Sequence, residues 1–77
     1  MSVVEYTEFL IKKVVKNSDM VKVEAISDDL IEVLVPNEEM KYVIGKNGDN
    51  IKAIRTLVNA FTFIQNLDKV NINVEAF

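Results

Sequence analysis

The pattern of apolar and polar positions divides this 77-residue chain into six segments. Residues 3–16 place apolar side chains at three- and four-residue intervals opposite acids and lysines, which predicts an amphipathic first helix. Residues 20–26 alternate between apolar and polar positions, and residues 30–35 are rich in β-branched side chains. Because the turn-forming residues 27–29 lie between them, we expect the two segments to form a β-hairpin.

The second half of the chain predicts two helices and a last strand. Pro36 has no N–H to donate and should end the second strand. Asn37, followed by two acids, is typical of a helix start, and this short second helix should end at Gly45. Residues 69–77 alternate again, as in a strand with one wet face. A long third helix to about residue 65 is predicted by the spacing of Ile51, Ile54, Leu57, Val58, Phe61 and Ile64.

Composition places the chain among folded proteins and argues against catalysis. Apolar residues make up 49% and charged residues 27%, so we expect one globular domain spanning residues 1–77. Cysteine and histidine are both absent, which removes disulfides, thiolate metal ligands and the usual nucleophile–base pairs. No apolar run reaches the length of a membrane span. We predict a cytoplasmic, non-enzymatic protein with no cofactor and no metal site.

Both glycines of the chain, Gly45 and Gly48, fall in one four-residue loop between the second and third predicted helices. Glycine is needed where the backbone takes a positive φ or where another backbone comes close, so this loop is suited to a tight approach. Positive charge gathers around it: the net charge is −3, yet residues 41–60 carry four bases and one acid. A phosphate-bearing polymer is therefore the leading candidate ligand.

The residues around this loop resemble the core of KH domains. The sequence VIGKNGDNI at positions 43–51 matches that family's pattern of Gly-x-x-Gly with flanking isoleucines, without a gap. The order α-β-β-α-α-β resembles the type II arrangement, which implies an α+β fold with a three-stranded mixed sheet covered on one face by three helices. The resemblance covers the full chain, which is similar to the small bacterial single-KH proteins of the KhpA type.

This resemblance implies binding of single-stranded RNA without catalysis, as a regulator or chaperone of RNA. A KH groove holds about four nucleotides, and the glycines let the nucleic-acid backbone lie against the loop. Lysine and arginine near the loop would extend a positive track along the third helix. The candidate RNA-binding residues are Val43, Ile44, Gly45, Lys46, Asn47, Gly48, Ile51, Lys52 and Arg55.

Most of these residues also have a purely structural interpretation. A Gly-x-x-Gly sequence alone is often only a turn between helices, and Asn47 suits such a turn. Ile44 and Ile51 fit a core, and Lys52 and Arg55 fit a solvated helix face. These alternatives remain open at this stage.

Asp49 departs from the basic or neutral residue that KhpA-like proteins tend to carry after the second glycine. Its carboxylate would repel a nearby phosphate, or it would only stabilise the helix start through the helix dipole. Together with the negative net charge, Asp49 predicts weak binding that is sensitive to salt.

A protein-interaction module is the alternative function. The small relatives are thought to pair with themselves or with a larger KH-containing protein, and such a module would have weak RNA affinity or none. Phe63 lies off the apolar stripe of the third helix, and we expect it to mark a docking surface with Asn59 and Thr62. A second edge of the core is an equally good interpretation of Phe63.

Overall fold

The computed structural model describes residues 1–77 and contains three helices and three strands in the predicted order. The helices are α1 (Val3–Val14), α2 (Met40–Ile44) and α3 (Asp49–Ile64). The strands are β1 (Lys22–Ser27), β2 (Leu30–Val35) and β3 (Asn71–Ala76). Single turns of 3-10 helix occur at Ser18–Met20, Asn37–Glu39 and Lys46–Gly48.

The sheet is mixed and has the strand order β1-β2-β3. β1 and β2 form the expected antiparallel hairpin, with a register shift between Ala25 and Ser27. β3 runs parallel to β2, which is possible because α2 and α3 form the crossover between them. Val33 of β2 lies opposite Val23 on one side and Val74 on the other, and its side chain is fully buried under the helices. The predicted α+β architecture is confirmed.

The side of α3 that faces the core differs from the predicted stripe. Ile51, Ile54 and Val58 are buried as expected, but Leu57 and Ile64 are 46% and 75% exposed. Each residue turns the helix by about 100°, so Leu57 lies more than a quarter-turn from Val58 and faces solvent. The last buried position of α3 is Thr62, a polar residue that a search for apolar periodicity overlooks.

Side chains cap the N-terminal end of α1 and pack the helix against α3. Ser2 caps the first turn reciprocally with Glu5: the Glu5 amide donates to Ser2 Oγ (3.1 Å), and the Ser2 amide donates to Glu5 Oε1 (2.8 Å). Hydrogen bonding of the Glu5 carboxylate to Ser2, first to its backbone amide and then to its side chain, lowers the pKa of Glu5. Further along α1, the ring of Tyr6 stacks on Phe61 of α3 at 4.7 Å between centroids, which holds the two helices together.

At its C-terminal end, α1 stops two residues earlier than predicted. The buried carboxylate of Glu39 accepts hydrogen bonds from the backbone amides of Lys16 (3.1 Å) and Asn17 (2.9 Å). Glu39 was expected to act on a helix dipole near Asn37, whose side chain makes no capping bond. Instead, Glu39 satisfies backbone donors after α1 and ties that segment to the turn before α2.

Candidate functional site

The loop between α2 and α3, residues 45–48, is called the GKNG loop below, and its two glycines are required for different reasons. Gly45 has φ 75° and ψ 177°, and a Cβ there would lie 2.6 Å from Asn50 Cγ and 2.9 Å from the Asn50 backbone nitrogen. Gly48 is left-handed (φ 77°, ψ 13°), but a Cβ there would have open space: its nearest neighbour, Lys52 Cε, would be 3.9 Å away. Asn47 is also left-handed, which asparagine tolerates.

Asn50 closes this loop from the first turn of α3. Its Nδ2 donates to the carbonyl of Tyr42 at 2.7 Å, while the Gly45 amide donates to Lys41 and the Gly48 amide to Gly45. The side chain of Asn50 therefore holds the end of α2 against the start of α3. The sequence analysis did not identify this role, although short amide side chains often bond nearby backbone groups.

The apolar residues that flank the loop divide between core and surface. Val43 is fully buried and Ile51 is 5% exposed, so both belong to the hydrophobic core that supports the loop from below. Ile44 is half-buried and is the flanking apolar side chain with surface next to the loop. Of the predicted apolar groove floor, Ile44 alone is placed where a base could touch it directly.

The predicted basic side chains begin in the loop and continue along one face of α3. Lys46 is exposed in the loop, and Lys52 is exposed one turn into the helix. Arg55 reaches sideways, and its Nη2 donates to the carbonyl of Ile72 in β3 at 3.2 Å. Arg55 is exposed, and this hydrogen bond holds its guanidinium over the space between α3 and β3.

That space is an open groove of about 550 Å³ whose wall contains two cations and no acid. Asn59 fixes its far end, because its Oδ1 accepts from the Val70 amide (3.0 Å) and its Nδ2 donates to the Arg55 carbonyl (3.0 Å). The lining residues are Arg55, Thr56, Asn59, Lys69, Val70, Asn71 and Ile72.

Five of these lining residues were not predicted as site residues: Thr56, Lys69, Val70, Asn71 and Ile72. Thr56 belongs to α3, while the other four lie just before β3 or at its start, and no local motif connects them. The parallel pairing of β3 with β2 brings them together. Asp49, by contrast, is where the sequence places it: exposed in the first turn of α3, directly after the loop.

The surface predicted for a protein partner is only partly available. Phe63 is 82% exposed, as a docking residue must be. Thr62, however, is buried and donates from Oγ1 to the Asn59 carbonyl at 2.9 Å, and Asn59 is occupied at the groove. The prediction for Thr62 is therefore wrong, because its side chain is buried and bonds the α3 backbone. Asn59 is half-buried and bonds the segment before β3, and its part in docking stays a prediction.

A different exposed stripe runs along α3 beside Phe63. Its members are spaced by four, three and four residues, so they share one face of the helix. They are Ala53, Leu57, Ala60 and Ile64, all exposed.

No helix combines the length and apolar character needed to cross a bilayer, and no group of three or more acidic, histidine or cysteine side chains is placed to hold a metal ion. The family described as KhpA/KhpB, KH domain, matches residues 4–75 of the chain. No curated protein matches this chain.

Proposed function

Because the chain belongs to the KhpA/KhpB KH-domain family, whose members are non-catalytic nucleic-acid-binding modules, we propose that it binds single-stranded RNA through the GKNG loop. The observation that carries this proposal is the backbone of the loop. Gly45, Asn47 and Gly48 all have positive φ, and neither glycine places a side chain between the loop and a ligand. A nucleic-acid backbone can therefore approach the main chain closely.

The proposed RNA path continues from the loop into the groove between α3 and β3. Lys46 and Lys52 flank the sugar-phosphate backbone at the loop, and Arg55 and Lys69 supply positive charge along the groove. Ile44 offers an apolar surface to a base, and the polar groups of the groove can bond base edges. Val43 and Ile51 act from beneath, by holding the loop in shape.

We expect the affinity to be modest and to fall steeply with salt. The chain carries a net charge of −3, and the exposed carboxylate of Asp49 lies next to the phosphate path. For single strands, the slope of log K against log salt is about −0.7 per neutralised phosphate, so the slope counts the contacts.

Fluorescence anisotropy with a labelled RNA pool at low and physiological salt tests this site. The variant Lys46→Asp, Asn47→Asp places two carboxylates in the loop, and Asp tolerates the left-handed conformation of Asn47. A matched control is Lys22→Asp, Asn66→Asp, because Asn66 is also left-handed and both double variants have a net charge of −6. Circular dichroism checks that each variant is folded.

We expect the loop variant to lose salt-dependent binding and the control to keep most of it. Equal loss in the two variants would mean that only the net charge matters. Equal binding by the wild type and the loop variant would refute the loop as the RNA site.

A second candidate function, pairing with another copy of the chain or with a larger KH-containing partner, is favoured by the exposed stripe of α3. If two copies pack their α3 helices antiparallel about a two-fold axis, Leu57 meets Ala60 and Ile64 meets Ala53. Large side chains then face small ones, which permits close packing. The stripe lies on a different face from Arg55 and Asn59, so pairing leaves the RNA groove open.

Sedimentation velocity over a range of protein concentrations tests the pairing. Leu57→Glu should shift the protein to monomer, because it places a carboxylate in the centre of the proposed contact. Phe9→Glu is the control, since Phe9 is also 46% exposed on a helix surface but lies outside the stripe. A monomeric wild type at all concentrations would eliminate self-pairing.

A further inference from the structure

The ring of Tyr42 in α2 lies close to two lysines, Lys16 and Lys41, that are not part of the proposed RNA path. Lys16 Nζ lies 5.5 Å from the ring centroid and Lys41 Nζ lies 5.2 Å from it. Both distances are within the range of a cation–π interaction. Two ammonium groups, from segments 25 residues apart in sequence, therefore converge on one aromatic ring.

The backbone that carries this cluster is held in place and joins the GKNG loop. Glu39 accepts from the Lys16 amide, which fixes the position of Lys16 after the end of α1. The Lys41 carbonyl accepts from the Gly45 amide, and the Tyr42 carbonyl accepts from Asn50. The cluster is thus attached directly to the residues that shape the loop.

Neither lysine has a carboxylate partner. The one ion pair within 4.0 Å in the molecule joins Lys12 to Glu8 on α1. Glu39, which bonds the backbone of Lys16, is buried and has both oxygens bonded to backbone amides. Two positive charges within 5.5 Å of one ring, with no ion-pair partner, make this surface attractive to an anion such as a phosphate.

The same pairing of lysine and aromatic ring is repeated further along α1. Lys13 Nζ lies 5.0 Å from the ring centroid of Phe9. Phe9 and Lys13 are four residues apart, so they share one face of α1, and Lys16 follows shortly after the helix ends. Interleaved cations and aromatic rings are the features that bind single-stranded nucleic acid without sequence preference.

We propose that Lys16, Lys41 and Tyr42 form a second RNA-contacting site, where the two ammonium groups bind phosphates of the same strand that occupies the GKNG loop. The Tyr42 ring keeps the lysines in position and offers a surface for an unpaired base. The inference rests on the proposed RNA binding at the loop. It predicts that RNA longer than the roughly four nucleotides of a KH groove gains affinity from this surface.

The test compares two RNA lengths by fluorescence anisotropy, one of about four nucleotides and one of about twelve, since only the longer can leave the groove. The variant is Lys16→Gln, Lys41→Gln, and the control is Lys22→Glu on the edge strand β1. Both have a net charge of −5, so a general charge effect would appear equally in each. A second variant, Tyr42→Phe, keeps the ring and should bind as the wild type does.

For the longer RNA, the double variant should reduce the salt slope by about 1.4 and weaken binding about tenfold at 0.15 M salt, as expected for two lost phosphate contacts. Binding of the short RNA should be unchanged, and Lys22→Glu should leave both lengths unaffected. Unchanged binding of the longer RNA by the double variant would overturn the second site while RNA binding at the loop stands. An equal loss for both lengths would also overturn it, because the lysines would then act at the loop. If the wild type binds neither RNA, both proposals fall.

Discussion

The two glycines of the GKNG loop should respond very differently to the same substitution. Gly45→Ala adds a Cβ that would lie 2.6 Å from Asn50 Cγ and 2.8 Å from Asn50 Cβ. Its φ and ψ also fall in a region that essentially only glycine occupies. Gly48→Ala adds a Cβ into open space, in a left-handed conformation that other residues adopt at moderate cost.

The expected magnitudes follow from these two environments. For Gly45→Ala, the backbone strain costs about 1–3 kcal/mol, and crowding against Asn50 costs about 1–3 kcal/mol. Alanine also reduces the conformational entropy of the unfolded chain, which offsets this loss by about 0.4–1 kcal/mol. These terms sum to a loss of about 1–5.6 kcal/mol, and we expect the free energy of unfolding to fall by the middle of that range, about 2–4 kcal/mol. For Gly48→Ala only the backbone cost of about 1–2 kcal/mol applies, so the net loss should be about 1 kcal/mol or less.

Urea unfolding followed by circular dichroism measures this difference. A chain of this length has a stability of roughly 4–12 kcal/mol, so the Gly45 variant should lose a large part of it. With a urea dependence of about 1 kcal/mol per M, the midpoint should shift by about 2–4 M for Gly45→Ala and by about 1 M or less for Gly48→Ala. Equal shifts in the two variants would refute the argument, because the close contact with Asn50 would then have no energetic weight.

Three further predictions concern the acids of the chain. Glu39→Ala leaves two part-buried amides without an acceptor and should lower the free energy of unfolding by about 2–4 kcal/mol in urea. Glu32→Thr removes the repulsion from Glu24 directly opposite on β1 and should raise the thermal midpoint slightly, by an amount that shrinks with added salt. The pKa of Glu5 is lowered by hydrogen bonds from Ser2, so its stabilisation is present above pH 4.5 and is lost as the pH falls through the folded-state pKa. Thermal unfolding should therefore depend more steeply on acid pH in the wild type than in Glu5→Gln.

The order of elements could be predicted because local patterns determine it. Each helix and strand has its own period of apolar residues. Pro36 marks the end of β2, and the two glycines mark the loop between α2 and α3. The interior of α3 was predicted less well. Apolar residues occur on two of its faces, so periodicity alone assigned Leu57 and Ile64 to the core, while the buried Thr62 was overlooked.

The missing parts of the site depend on contacts between distant segments. Glu39 bonds amides 22 and 23 residues earlier in the chain, and Arg55 bonds a carbonyl 17 residues later. Lys69 comes beside Arg55 only because β3 returns parallel to β2. Asn50 is different, since its bond to Tyr42 spans eight residues, and the sequence contained the signal in a short amide beside a glycine loop.

If the chain binds RNA and pairs as proposed, the geometry of α3 lets two weakly binding loops act on one strand. One face of the helix packs in the core, a second carries Arg55 and Asn59 along the groove, and a third carries the exposed stripe of Leu57 and Ile64. Pairing through the third face would place two GKNG loops in one particle without covering either groove. A strand long enough to reach both loops would then bind with a high effective concentration for the second contact, and its affinity would exceed that of one site. Leu57→Glu should therefore weaken binding of long RNA and leave binding of a short oligonucleotide unaffected. If the monomeric variant binds long RNA as tightly as the wild type does, pairing does not contribute to RNA affinity.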